Sequence, residues 1–186
     1  MSLGPNGLRE FTGGKEITIM RNTRSKRVAL YGMFVALAFV FSYVEVLLPI
    51  NIGIPGIKLG LANIVVLTAL YAMGVKEAFV VSVIRIILVG FTFGNMFSML
   101  YSLAGGLLSW MVMCLLKKLK SFSMIGVSIG GGISHNIGQI IVASIVLRTE
   151  SLKYYLPVLL IAGTVTGILI GLLGVWILKV QKKIFD

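Results

Sequence analysis

The sequence predicts an all-α polytopic membrane protein, a bundle of six transmembrane helices with both termini cytoplasmic. Three observations predict it. The 186-residue chain is 58% hydrophobic and only 12% charged. That is about half the charge of a soluble domain, too little polar surface to face water all round. Several apolar stretches reach the ~18–20 residues that a helix needs to cross a bilayer. The net charge of +11 is concentrated in a few short segments, as in cytoplasmic loops.

The spans are expected at residues 28–49, 59–73, 78–93, 96–116, 123–147 and 154–178. Residues 1–27 form a basic cytoplasmic tail and residues 28–183 the six-helix membrane domain. The apolar run from Val28 is too long for a signal peptide and has no small-residue cleavage signal. The second and third spans are short, so they either extend into their flanks or are sheltered by neighbours. Orientation follows from the basic residues. With the N-terminus inside, the inner side holds Arg9, Lys15, Arg21, Arg24, Lys26, Arg27, Lys76, Lys117, Lys118, Lys120, Lys179, Lys182 and Lys183. These are 13 of the 17 Lys and Arg residues, which sets a multi-pass cell-membrane topology and makes nucleic acid the wrong partner for the positive charge.

Small residues recur every fourth position: Gly163, Gly167 and Gly171; Gly126, Gly130, Ser134 and Gly138; Ser98, Ser102 and Gly106; Gly32 and Ala36. That spacing lines one helix face and lets backbones approach. For the last three spans it reads first as internal packing; the alternative, a docking face for another membrane protein, suits the first or last span best. Residues 50–57, Ile-Asn-Ile-Gly-Ile-Pro-Gly-Ile, are apolar but broken by Pro and Gly. They form either a loop folded over the bundle mouth or an interfacial turn.

Ionisable and amide side chains inside apolar runs are costly and therefore functional candidates. They are Glu45 near the outer end of the first span, Lys58 and Asn63 at the start of the second, Arg85 within the third, and His135, Asn136 and Gln139 within the fifth. All map from mid-membrane to the outer side, where a pocket with a cation and amide donors would take a polar or anionic molecule. Each also has a structural reading. Arg85 could pair with Glu45, His135 could bond between helices, and Lys58 could snorkel to the interface. Aromatic residues crowd the outer third as an interfacial belt, and Tyr101 is placed to stack on a planar ligand. A flavin, a quinone precursor or an isoprenoid phosphate would suit such a pocket.

Catalytic groups are sparse. Cys114 is the single cysteine and His135 the single histidine, so neither a disulfide nor a His/Cys metal site is expected. The lone aspartate, Asp186, cannot supply the aspartate-rich cluster that holds Mg²⁺ against a diphosphate. Gly13-Gly14-Lys15-Glu16 lacks the upstream glycine and the Ser/Thr of a phosphate-binding loop. No enzyme activity and no cofactor are expected.

The segment Pro55-Gly56-Ile57-Lys58-Leu59-Gly60-Leu61-Ala62-Asn63-Ile64, leading to Gly74, resembles the start of the second span in substrate-binding (S) components of energy-coupling-factor (ECF) transporters. Residues 27–183 more closely resemble the membrane family called heptaprenyl diphosphate synthase component I, or Gx transporter. The transporter resemblance implies a subunit that binds a vitamin or cofactor precursor and docks on a membrane coupling protein driven by two cytoplasmic ATPases. Docking in that family uses an Ala-x-x-x-Ala face of the first span, to which Gly32-x-x-x-Ala36 corresponds here with Gly in place of the first Ala. The synthase name implies instead a membrane accessory subunit of heptaprenyl diphosphate synthase in isoprenoid or menaquinone synthesis.

Overall fold

The computed structural model describes residues 62–148 and 151–185, together with Val28–Glu45, Ser25 and Leu47. The tail, the connection at residues 50–57 and Lys58 lie outside the described residues, Ser25 apart. The chain divides into two units, Met1–Met33 and Phe34–Asp186. The described part of the first is Ser25 and the opening of helix α1, where Gly32 is exposed. Everything below concerns the second.

The described residues are all-helical. α1 runs over Val28–Glu45, α2 over Asn63–Ala72, α3 over Val75–Phe93, α4 over Met96–Lys118 and α5 over Met124–Leu147. A single 3₁₀ turn, Ser151–Tyr155, then leads into α6, Leu156–Phe185. The protein is thus an all-α membrane protein. By length and composition four of its helices could cross a bilayer: α1, α4, α5 and the Leu156–Lys179 part of α6.

α2 has 10 residues, about 15 Å, roughly half a hydrocarbon core. It needs no lipid-matched length because Asn63–Leu70 are all buried. Its all-round apolar sequence, with Thr68 returning its hydroxyl to Ile64 O at 2.7 Å, suits a helix enclosed by neighbours. Gly74 stops it with φ +130°, a conformation that side chains oppose. α3 begins at once, three residues earlier than the sequence pattern suggests. Its buried residues Ala78, Val81, Ser82, Arg85, Ile86 and Val89 fall at helical spacing on one face.

α5 packs between α4 and α6, and α2 lies against α3 and α6. The small-residue stripes are what bring the backbones together. A Cβ on Gly167 would stand 2.6 Å from Ile129 Cα, one on Gly171 2.8 Å from Ile125 Cα, and one on Gly138 2.8 Å from Ala104 O. α6 shows the two-faced logic clearly. Leu159, Gly163, Gly167, Ile170 and Gly171 are buried, while Ile161, Val165, Leu169, Leu172 and Trp176 are exposed on the other side, Ile161 by 66% and Trp176 by 64%. Such a stripe of large apolar side chains suits a surface that faces lipid.

Caps and tethers fix the two ends of the bundle. Asn95 Oδ1 accepts from Ser98 N at 2.7 Å and starts α4, and Ser123 Oγ accepts from Gly126 N at 3.2 Å and starts α5, as helix N-caps do. At the end carrying Lys117, Lys118 and Lys120, Lys117 Nζ donates to Leu70 O at 2.6 Å and lies 4.6 Å from the Tyr71 ring centre. It thereby satisfies a terminal carbonyl of α2 and complements its dipole. Trp110 Nε1 donates to Val75 O at 3.0 Å, tying the α2–α3 turn to the same end. At the opposite end Phe93 of α3 packs against Phe39 and Tyr43 of α1, with ring centres 5.3 and 4.9 Å apart.

Candidate functional site

Four helices contribute to a cleft in the half of the bundle away from Lys117. It is lined by Ser42 and Glu45 of α1, by Arg85, Ile86, Val89 and Gly90 of α3, by Ser98, Met99 and Ser102 of α4, and by His135 of α5. The buried stripe of α1, Phe34, Ala38, Ser42 and Glu45, recurs at steps of four, four and three and so aims Ser42 and Glu45 at α3. The empty space is about 410 Å³ counting the open mouth, at the lower end of what small-molecule sites occupy.

Arg85, the cleft's cation, is 6% exposed and sits near the middle of α3. Its Nη2 donates to Asn63 Oδ1 at 3.4 Å, a long and weak bond. Among the described residues no hydrogen-bond partner meets its Nε. Glu45, 9% exposed, acts on the guanidinium by charge attraction and is itself engaged. Both charges sit where an unmatched one costs several kcal/mol, so each constrains the other.

The structure brings together Glu45, Asn63, Arg85 and His135 among the residues named from sequence. It separates three others. Asn136 turns to α6, where its Nδ2 donates to Leu159 O at 2.7 Å. Tyr101 is buried in an apolar cluster with Ile140, Ala143, Leu152 and Leu159, so its ring is packed rather than offered for stacking. Gln139 is one turn from His135 on α5, and both crowd Gly105 of α4, where a Cβ would stand 2.9 Å from Gln139 Cγ and 3.1 Å from His135 Cε1. Gln139 is 0% exposed, and among the described residues neither its Oε1 nor its Nε2 has a hydrogen-bond partner. It is not among the residues that line the cleft.

Sequence reasoning missed the hydroxyls. Ser98 and Ser102 belong to a small-residue stripe that reads as packing, yet they line the cleft. Gly106, the third member of the stripe, does pack, a Cβ there meeting Ile86 Cδ1 at 2.7 Å. The start of α4 carries the signal that separates them: Asn95 caps Ser98, which puts Ser98 and Ser102 in the first turns of a helix beside the mouth. Among the described residues no three of His, Cys, Asp and Glu are grouped so as to hold a metal ion. The chemistry on offer is charge pairing and hydrogen bonding to a polar molecule.

A family model described as heptaprenyl diphosphate synthase component I matches residues 34–177. No characterised protein and no solved structure matches the chain.

Proposed function

We propose, for a chain that belongs to the heptaprenyl diphosphate synthase component I family, a role as the substrate-binding membrane subunit of an ECF-type importer for a vitamin or cofactor precursor. The observation that carries this reading is the cleft. Ser42, Glu45, Arg85, Ser98, Ser102 and His135 converge from four helices in apolar surroundings, where polar groups are expensive unless they have work to do. If the basic end faces the cytoplasm, the cleft opens outward, as an importer's binding site must. ATP would then be used by partners: a membrane coupling protein and two cytoplasmic ATPases. Ala36, exposed on α1, belongs to the face offered to the coupling protein.

Purification from native membranes in mild detergent is the test. It should recover the coupling protein and ATPases, together with a small molecule retained in the cleft and identifiable by mass spectrometry. Unchanged ligand uptake in cells lacking every ATPase of that type would sink the proposal.

The family's description favours a second reading, a membrane accessory subunit of heptaprenyl diphosphate synthase. In that case the purified chain should bind a soluble prenyl synthase and shift the chain length of its products. Absence of both effects removes it.

A further inference from the structure

α2 begins in the interior of the bundle. Asn63, its first residue, is buried and receives a hydrogen bond from Arg85, which lies near the middle of α3. The helix therefore starts halfway along its neighbour, in the apolar zone. Its N-cap position is Ala62, which has no side-chain group able to accept from the first turn. A helix start carries a partial positive charge of about half a unit, and in a low-dielectric interior that charge is felt strongly.

Arg85 adds a full positive charge at the same level. It is 94% buried, lines the cleft, and keeps Nε without a hydrogen-bond partner among the described residues, while its contact to Asn63 is long. Facing these two positive sources among the described cleft residues is one carboxylate, Glu45; the hydroxyls of Ser42, Ser98 and Ser102 are neutral. His135 is the remaining titratable group on the wall. The balance leaves positive potential around the Arg85 guanidinium, on the wall of the cleft.

We infer that the cleft binds an oxyanion, a carboxylate or phosphate group seated on the Arg85 guanidinium, which reaches Asn63 in the first turn of α2. This inference rests on the ligand-binding reading and narrows it to acidic ligands. The planar charged fork of Arg suits such a group, and the start of α2 supplies the dipole that helix N-termini offer to anions.

The test uses the full chain in nanodiscs of zwitterionic lipid. Thermal unfolding is followed by tryptophan fluorescence while inorganic phosphate or pyrophosphate is titrated against chloride at constant ionic strength. Saturable stabilisation by an oxyanion is expected. Arg85→Gln should weaken it by about 10–100-fold, the worth of one charge-assisted hydrogen bond, and Arg85→Lys should retain part of it. Arg85→Lys keeps the charge if the Gln variant fails to fold. A parallel arm replaces part of the lipid with phosphatidylglycerol. Arg85-dependent stabilisation by that lipid, with nothing added by free phosphate, assigns the oxyanion to a headgroup. No oxyanion effect beyond chloride in any arm, or an effect equal in wild type and Arg85→Lys and Arg85→Gln, overturns the inference. So does a neutral ligand retained in the cleft and found by mass spectrometry, which would leave the ligand-binding role standing.

Discussion

Replacing Gln139 by Met should make the empty protein more stable. Gln139 is 0% exposed, and both polar atoms of its amide lack a hydrogen-bond partner among the described residues. An orphaned amide in an apolar interior costs ~1–3 kcal/mol on the scale of protein mutations. Met keeps the Cγ that lies against Gly105 and extends to a similar length, so the main loss is a few dispersion contacts at ~0.1–0.2 kcal/mol each. The net expectation is a gain of ~1–2 kcal/mol, since the removed penalty exceeds the lost contacts. Reversible unfolding in mixed micelles, read by tryptophan fluorescence on ligand-free protein, measures it. A loss of ~1 kcal/mol or more would refute the reasoning, because it would show that the amide makes hydrogen bonds in the native bundle, through water for example, which Met cannot replace.

Other expectations follow from the same geometry. Gly167→Ala should destabilise by ~1–3 kcal/mol, since its Cβ would press on Ile129 Cα at 2.6 Å and Ser128 O at 3.0 Å, both backbone atoms that cannot step aside. Gly126→Ala, whose Cβ would meet the Phe122 ring at 3.4 Å, should gain ~0.5–1 kcal/mol from helix propensity; equal unfolding curves for the two variants would contradict the packing described. Asn136→Leu should lower stability by ~1–3 kcal/mol by removing the bond to Leu159 O, yet leave ligand affinity within error in a binding titration. Ala36→Phe should leave the melting temperature unchanged but abolish co-purification of a coupling protein; retention of the partner would place docking elsewhere.

Much of the architecture was legible because bilayer-crossing helices advertise themselves by length. α4 begins at the expected residue and α5 within one of it, since each is preceded by a capping side chain and follows a polar break. α2 and α3 were harder. A buried 10-residue helix has no lipid face and hence no two-sided pattern, and the charged pair Lys76 and Glu77 makes the first turn of α3 look like part of the connection after Gly74. The site divides by the same physics. Glu45 and Arg85 announce themselves because charge is rare in an apolar chain. Asn136 and Gln139 carry the same sequence signal as His135, but which way an amide turns depends on whether the facing helix offers a carbonyl. α6 does so at Leu159, and α4 presents Gly105. Ser98 and Ser102 are small enough to pass for packing residues and polar enough to line a cleft, so the four-residue spacing alone could not separate the roles.

The brevity of α2 bears on how the chain enters the membrane. An insertion machine judges segments one at a time by hydrophobic length, and ten residues ending in a single-glycine turn fall short of a crossing. α2 and α3 must therefore be admitted as one hairpin, Arg85 travelling inward with its partner Asn63 rather than alone. The enclosing walls of α4, α5 and α6 come later in synthesis, so α2 waits for them before its surroundings are complete. Variants that weaken the Arg85–Asn63 contact should then show their largest effect in the yield of newly made protein, while the assembled bundle remains comparatively robust.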